Sequence, residues 1–147
     1  MERDFSTKCS KCRERAVALA TVSYSVQVDN DGRKYDVAIP DLVVPRCAKC
    51  GNIVLHGDAN DRITAEFRKV AGLLTPAEIR FHRERVGLSQ EELAEHLGIT
   101  VLTLSRWELG ELIQPRSLDR FLRAVLTMPE LRKTLANRQA LELSSVD

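Results

Sequence analysis

The side chains best suited to chemistry are four cysteines. Cys9 and Cys12 form one Cys-x-x-Cys turn, and Cys47 and Cys50 form another. Two intervening residues let both sulfurs of a turn face one ion at about 2.3 Å, and two such turns complete a tetrahedron. The spacing therefore calls for a bound Zn2+. Sulfur fills all four positions, so no coordination site stays open for a water nucleophile, and the metal is expected to be structural and not catalytic. Two disulfides or four free thiols are the alternatives, disfavoured in a reducing compartment. His56, close after the second turn, is either a substitute ligand or an ordinary surface or packing histidine.

A second set of functional side chains lies between Ser89 and Gly110. The stretch SQEELAEHLGITVLTLSRWELG reads as two short helices joined by a tight turn at Gly98. Leu93, Ala94, Leu97, Ile99, Leu104 and Trp107 fall where such a pair needs inward apolar or small residues. Ser89 with Glu92 makes a capping box, and Thr100 is placed to cap the second helix. With these residues inward, the second helix presents Thr100, Val101, Leu102, Thr103 and Arg106 on the side that a recognition helix offers to base edges. Arg106 suits guanine O6 and N7, or a phosphate; Thr103 can donate or accept; Val101 or Leu102 can meet a thymine methyl. The same apolar pair could instead belong to a dimer or core surface. Gln90, at the start of the preceding helix, is placed for a backbone phosphate, aided by the helix N-terminus.

Positioning the cysteines falls to a β-hairpin. Val22, Tyr24, Val26 and Val28 alternate with polar residues, Asp29-Asn30-Asp31-Gly32 supplies turn chemistry, and Tyr35, Val37 and Ile39 alternate again. Pro40 and Pro45 then break the ladder, so the returning strand should lie at an edge or carry a bulge. That edge is either an ordinary one protected by charge or a docking surface for an added strand. A helix over Asp58–Ala71 follows, with Ile63, Phe67 and Val70 on one side and Gly72 as its stop; it is predicted to be the connector. Thr75, Pro76 and Glu78 open the next helix, in which Ile79 and Val86 face inward. Pro115 starts another, with Leu118, Leu122 and Val125 inward and Arg116, Arg120 and Arg123 forming a cationic stripe. Arg116 either touches phosphate or sits on a solvated face. Pro129 opens a last helix through Leu131 and Leu135.

Bulk charge does not advertise a nucleic-acid partner. Lys plus Arg number 22 against 21 Asp plus Glu in 147 residues, so DNA affinity must come from a local face. No apolar run approaches the roughly 18 residues of a membrane span, and the first twenty residues lack the order of regions of a signal peptide. A cytoplasmic protein with no membrane partner is the expectation. No open metal site and no nucleophile paired with a base appear, and three scattered histidines do not make one; the chain is expected not to be an enzyme.

Two resemblances sharpen these expectations. SQEELAEHLG followed by SRWELG resembles the helix-turn-helix of the phage-repressor-like (Xre) family, in which the arginine matching Arg83 pairs with the glutamate matching Glu108. The resemblance implies an Arg83–Glu108 ion pair tying the first helix to the end of the recognition helix, against two solvated charges as the alternative. The order of modules, the two knuckles, the run IPDLVVPRCAKCG and the segment SRWELG resemble, to about Leu135, the MqsA family of antitoxins with a YgiT-type zinc finger. That resemblance implies zinc ligands at Cys9, Cys12, Cys47 and Cys50, a base-contacting arginine at Arg106, a zinc domain that masks an mRNA-cleaving toxin, and a C-terminal domain that dimerises on palindromic DNA. The family's asparagine four residues before that arginine is Leu102 here, which implies a different operator. The first knuckle starts later than is usual, leaving an arm, MERDFSTK, without an assigned role.

The expected fold is α+β: a small zinc-stapled antiparallel β module over residues 1–57, a connecting helix and linker over 58–74, an all-α five-helix Xre-type helix-turn-helix domain over 75–136, and a tail over 137–147 that frays or adds a dimer contact. The expected function is a sequence-specific DNA-binding repressor, an antitoxin that neutralises a ribonuclease toxin and regulates its own operon. It would act as a homodimer on an inverted-repeat operator in double-stranded DNA, half-sites about 34 Å apart. The alternative is an Xre-type regulator without a toxin, its zinc domain a protein-interaction or thiol-sensing module.

Overall fold

The computed structural model describes residues 7–144. Residues 1–6 of the N-terminal arm and 145–147 of the tail lie outside the described residues. The chain divides into two compact units, one ending at Gly72 and one beginning at Leu73. Its architecture is α+β: among the described residues, a three-stranded antiparallel sheet is followed by six α-helices.

In the first unit β1 (Thr7–Lys8), β2 (Arg15–Asn30) and β3 (Arg33–Cys47) form a sheet in the order β1-β2-β3. Asp31 and Gly32 both have positive φ, 56° and 72°. That is the backbone of a type I′ turn, whose twist matches the flanking strands and fixes the register Asn30↔Arg33. The hairpin is longer than its alternation suggests, because β3 runs through both prolines to the cysteines. β3 tolerates them as an edge strand with a bulge: Val22 pairs with Leu42 and Tyr24 with Ile39, so Ser23 opposes both Pro40 and Asp41. The extra residue changes which side chains face inward. Val37 and Ile39 are buried before the bulge, and Leu42 and Val44 after it. Without the inserted residue, one of these pairs would face solvent.

Helix α1 (Asp58–Ala71) lies against β3. Ala59 joins Ile39, Leu42 and Val44 in the core, with Ile63 packed beside them, and Phe67 meets Tyr35 edge-on at 5.5 Å. Arg62 clasps the bulge through the backbone carbonyl and the carboxylate of Asp41. The helix predicted to be a connector is thus part of the first unit's core. Val70, expected on its apolar side, is 46% exposed; it lies a turn beyond the Phe67–Tyr35 contact, where the helix outruns the apolar part of the hairpin. Arg68 is the residue buried instead, at 6% exposure.

The second unit holds α2 (Pro76–Arg85), α3 (Gln90–Leu97), α4 (Val101–Leu109), α5 (Arg116–Thr127) and α6 (Pro129–Ala136), then a 3-10 turn at Arg138–Leu141 within the tail. Three helices start on hydroxyl caps. Thr75, Ser89 and Thr100 accept hydrogen bonds from the amides of Glu78, Glu92 and Thr103, satisfying donors the helices would otherwise leave orphaned. Leu74, Ile79, Leu93, Leu97, Leu104, Trp107, Leu122 and Val125 make one core, on which Val86, Ile99, Leu118, Leu131 and Leu135 pack. Burial of each large side chain contributes roughly 1.5–3 kcal/mol. Leu104 and Trp107, fully inward on α4, therefore set which side of that helix is left for solvent.

Candidate metal centre and nucleic-acid interface

The strands deliver the cysteines as a pair of matched turns. Cys9 follows directly on β1, Cys47 ends β3, and Val17 of β2 pairs with both Thr7 and Cys47. In the first turn the amide of Arg13 donates to the Cys9 carbonyl at 2.9 Å; in the second, Gly51 donates to the Cys47 carbonyl at 2.9 Å. Arg13 and Gly51 have φ of 64° and 73°. Although one turn is followed by arginine and the other by glycine, the two backbones match, and Arg13 adopts a left-handed conformation that glycine reaches without steric cost.

The four Sγ atoms all lie within 4.8 Å of one another. Cys9 to Cys50 and Cys12 to Cys47 are 3.6 Å apart. A tetrahedron with metal–sulfur bonds of about 2.3 Å has edges of about 3.8 Å, whereas a disulfide needs about 2.05 Å. The side chains thus fit a four-sulfur metal site and not a pair of disulfides. His56 is outside this cluster, and among the described residues no histidine or carboxylate joins it.

The thiols disagree about ionisation. The amides of Cys12 and Lys11 hold Cys9 down at about 6 against the cost of burial; the Cys50 amide, against burial, likewise lowers Cys47 below the ordinary thiol range. Cys12 is pushed up to about 12: the Glu14 amide lowers it, but burial and hydrogen bonds to Cys47, Cys50 and Cys9 outweigh that. Crowded thiols cannot all ionise beside one another. A coordinated dication would resolve the conflict, because thiols that ligate one are deprotonated outright.

In the second unit the residues assigned to DNA separate into an exposed set and an internally bonded set. Val101, Leu102 and Arg106 are exposed on α4, and Thr100 is exposed at its cap. Thr103 is half-buried, and its hydroxyl is 2.9 Å from that of Thr100. Arg106 has an acidic neighbour that the sequence did not reveal, Glu111, at 3.9 Å. Gln90 is half-buried and donates its side-chain amide to Glu108, so that donor points into the protein.

Glu108 is the hub of these contacts. It accepts from Arg83 Nε at 2.5 Å and Nη2 at 3.3 Å, while Arg83 Nη1 donates to the Leu88 carbonyl at 2.9 Å. One carboxylate thereby joins α2, the start of α3 and the end of α4. Arg116 opens α5, half-buried. The expected cationic stripe is shorter than its spacing suggests, since Arg123 pairs with Asp119 at 2.9 Å.

Asp119 belongs to a buried network that the sequence did not indicate. Its Oδ1 accepts from the Leu74 amide at 2.9 Å and from Gln114 Nε2 at 3.0 Å, and Gln114 also donates to the Leu74 carbonyl at 2.8 Å. These bonds anchor the entry to α2 on the start of α5, and so support the helices around α4.

No helix among the described residues is long and apolar enough to cross a membrane. No curated protein matches the chain. A sequence model of the family described as the antitoxin component of the bacterial toxin-antitoxin system, MqsA, matches residues 7–136, from β1 through α6. With that match spanning both the cysteine cluster and the helical unit, the chain belongs to the MqsA family of antitoxin components of bacterial toxin-antitoxin systems.

Proposed function

We propose that this antitoxin is a zinc-containing repressor that reads its own operator with α4 and holds a ribonuclease toxin with its cysteine-bearing unit. The observation that carries the reading is the family match over residues 7–136, together with a helix-turn-helix whose α4 leaves Val101, Leu102 and Arg106 exposed. The zinc module is the cysteine-bearing hairpin with α1 packed on it, and the reading domain is residues 75–136. Zn2+ is held by Cys9, Cys12, Cys47 and Cys50. Sulfur-only ligation in a tetrahedral cluster favours Zn2+ over harder cations, and it fixes the two turns on which the hairpin stands.

On the operator, Arg106 donates to a guanine edge in the major groove, the Thr100 end of α4 faces the bases, and Arg116 and the N-terminus of α3 approach phosphates. Two chains bind as a homodimer on an inverted repeat, because one short helix contacts too few base pairs for useful specificity. Exposed Leu19 and Val43 in the first unit supply apolar surface for a protein partner.

The test is purification of the intact protein from its host with bound macromolecules retained. Co-purification of a small ribonuclease and enrichment of a palindromic duplex upstream of the chain's own gene are the expected results. A duplex without a protein partner would overturn the toxin half of the proposal and leave a regulator. Absence of any enriched duplex would overturn the repressor half.

A further inference from the structure

We propose that Leu102, flanked by Val101, reads the C5 methyl group of a thymine, one or two base pairs from the guanine held by Arg106. The inference rests on the DNA-reading role proposed for α4. It follows from what the N-terminal turn of that helix has available. Leu102 is 59% exposed and Val101 36%, although most large apolar side chains of the unit are packed into its core. The polar groups of the same turn are partly engaged with one another. Thr100 Oγ1 accepts from the Thr103 amide at 3.2 Å and bonds the Thr103 hydroxyl at 2.9 Å, capping the helix.

The base-facing start of the helix thus presents chiefly the methyl groups of Val101 and Leu102, beside two hydroxyls that are turned to one another. In the major groove of unmodified DNA the apolar feature of a base edge is the thymine methyl; the other edge groups are hydrogen-bond donors and acceptors. A Leu side chain facing those polar groups would desolvate them without replacing their bonds, so thymine is the base it selects.

The spacing places that thymine. Leu102 and Arg106 are four residues apart, so they share one face, about 6 Å apart along the helix. With base pairs about 3.4 Å apart, a helix lying along the groove sets the two contacts one or two base pairs apart.

The test uses the full-length protein and a random duplex library to find the preferred site, then replaces each thymine singly with deoxyuridine, which removes only the methyl. One thymine per half-site, one or two pairs from a guanine, should lose about three- to fivefold in affinity on substitution, the value of one buried methyl group. Leu102→Ala should bind the thymine duplex correspondingly less well and be indifferent to deoxyuridine at that position, a non-additivity that marks direct contact. Leu102→Asn should prefer a different base there. A selected duplex with no thymine that behaves this way overturns the inference while leaving DNA reading intact; a library that yields no selected duplex overturns both. If Leu102→Ala dissociates a wild-type dimer in sedimentation, the patch is a protein contact and the inference fails.

Discussion

Arg83 and Glu108 form an ion pair at 2.5 Å with their side chains only 11% and 4% exposed, and the pair determines how α4 is held. Its members come from α2 and the last turn of α4. The remaining capacity of the two groups goes to the Leu88 carbonyl and the Gln90 amide, so both charges are satisfied within the protein. A pair this dry is poor evidence of net stability, because desolvation cancels most of its attraction. Its effect is orientational: it fixes the end of the helix that carries Arg106.

Removing one partner exposes that balance. Glu108→Ala leaves the Arg83 charge buried without its counter-ion and is expected to cost about 3 kcal/mol in urea unfolding. Replacing both with apolar residues, Arg83→Met with Glu108→Leu, should restore most of that stability and still weaken operator binding, since α3 and α4 lose their shared anchor. A single-mutant cost below about 1 kcal/mol would show that the pair is solvated in solution.

The backbone of the first knuckle leads to a prediction of opposite sign. Arg13 occupies the left-handed position that Gly51 holds in the second turn, at a cost of roughly 1–2 kcal/mol for a residue with a Cβ. Arg13→Gly is expected to stabilise the first unit by about 0.5–1 kcal/mol, the strain relieved being partly offset by the freedom glycine gains in the unfolded chain. Thermal unfolding of the metal-loaded protein checks it. A lower midpoint would mean that the Arg13 side chain contributes more than its backbone costs.

Much of this was legible in the residues because short-range rules governed it. The knuckles, the Thr75, Ser89 and Thr100 caps, and the inward positions of the helix-turn-helix follow from spacing alone, and each depends on residues within four positions of one another. What stayed hidden depends on distant partners. Pro40 reads as a strand breaker until the second strand shows that Ser23 faces two residues of β3. Gln114 and Asp119 carry no local sign of burial; only the fold brings the Leu74 backbone to them. Gln90 looked free for phosphate because Glu108, eighteen residues away, has no local signature as its acceptor. Arg13 is intermediate, since comparison with Gly51 could have revealed its conformation had the two turns been assumed equivalent.

Metal removal should separate the two units. The single tryptophan, Trp107, is buried in the core of the second unit, so its fluorescence reports that unit alone. A strong chelator is expected to release one metal ion per chain and abolish the strand signal in circular dichroism, since a small sheet depends on its metal for folding free energy. Trp107 emission should change little. Cobalt(II) in place of the native ion should give the intense absorption of a tetrahedral thiolate site, and loss of one cysteine should alter it. If tryptophan emission shifts along with the strand signal, the units unfold as one.

Arg106 and Glu111 supply a prediction with two signs. Arg106 is the long cationic donor on the exposed side of α4, and Arg106→Ala should cost about 1–3 kcal/mol of specific DNA binding while leaving the cysteine unit folded. On the proposed operator Glu111, 3.9 Å from Arg106 Nε, would compete with DNA for that guanidinium and repel nearby phosphates. Both groups are well exposed, so their attraction in the free protein is weak and screened by salt. Glu111→Gln should therefore tighten operator binding by a factor of a few at low salt, with the gain shrinking as salt rises. In the Arg106→Ala background the gain should fall to that of phosphate repulsion alone. Weaker binding by Glu111→Gln at every salt concentration would give Glu111 the opposite role, that of holding Arg106 in its reading conformation.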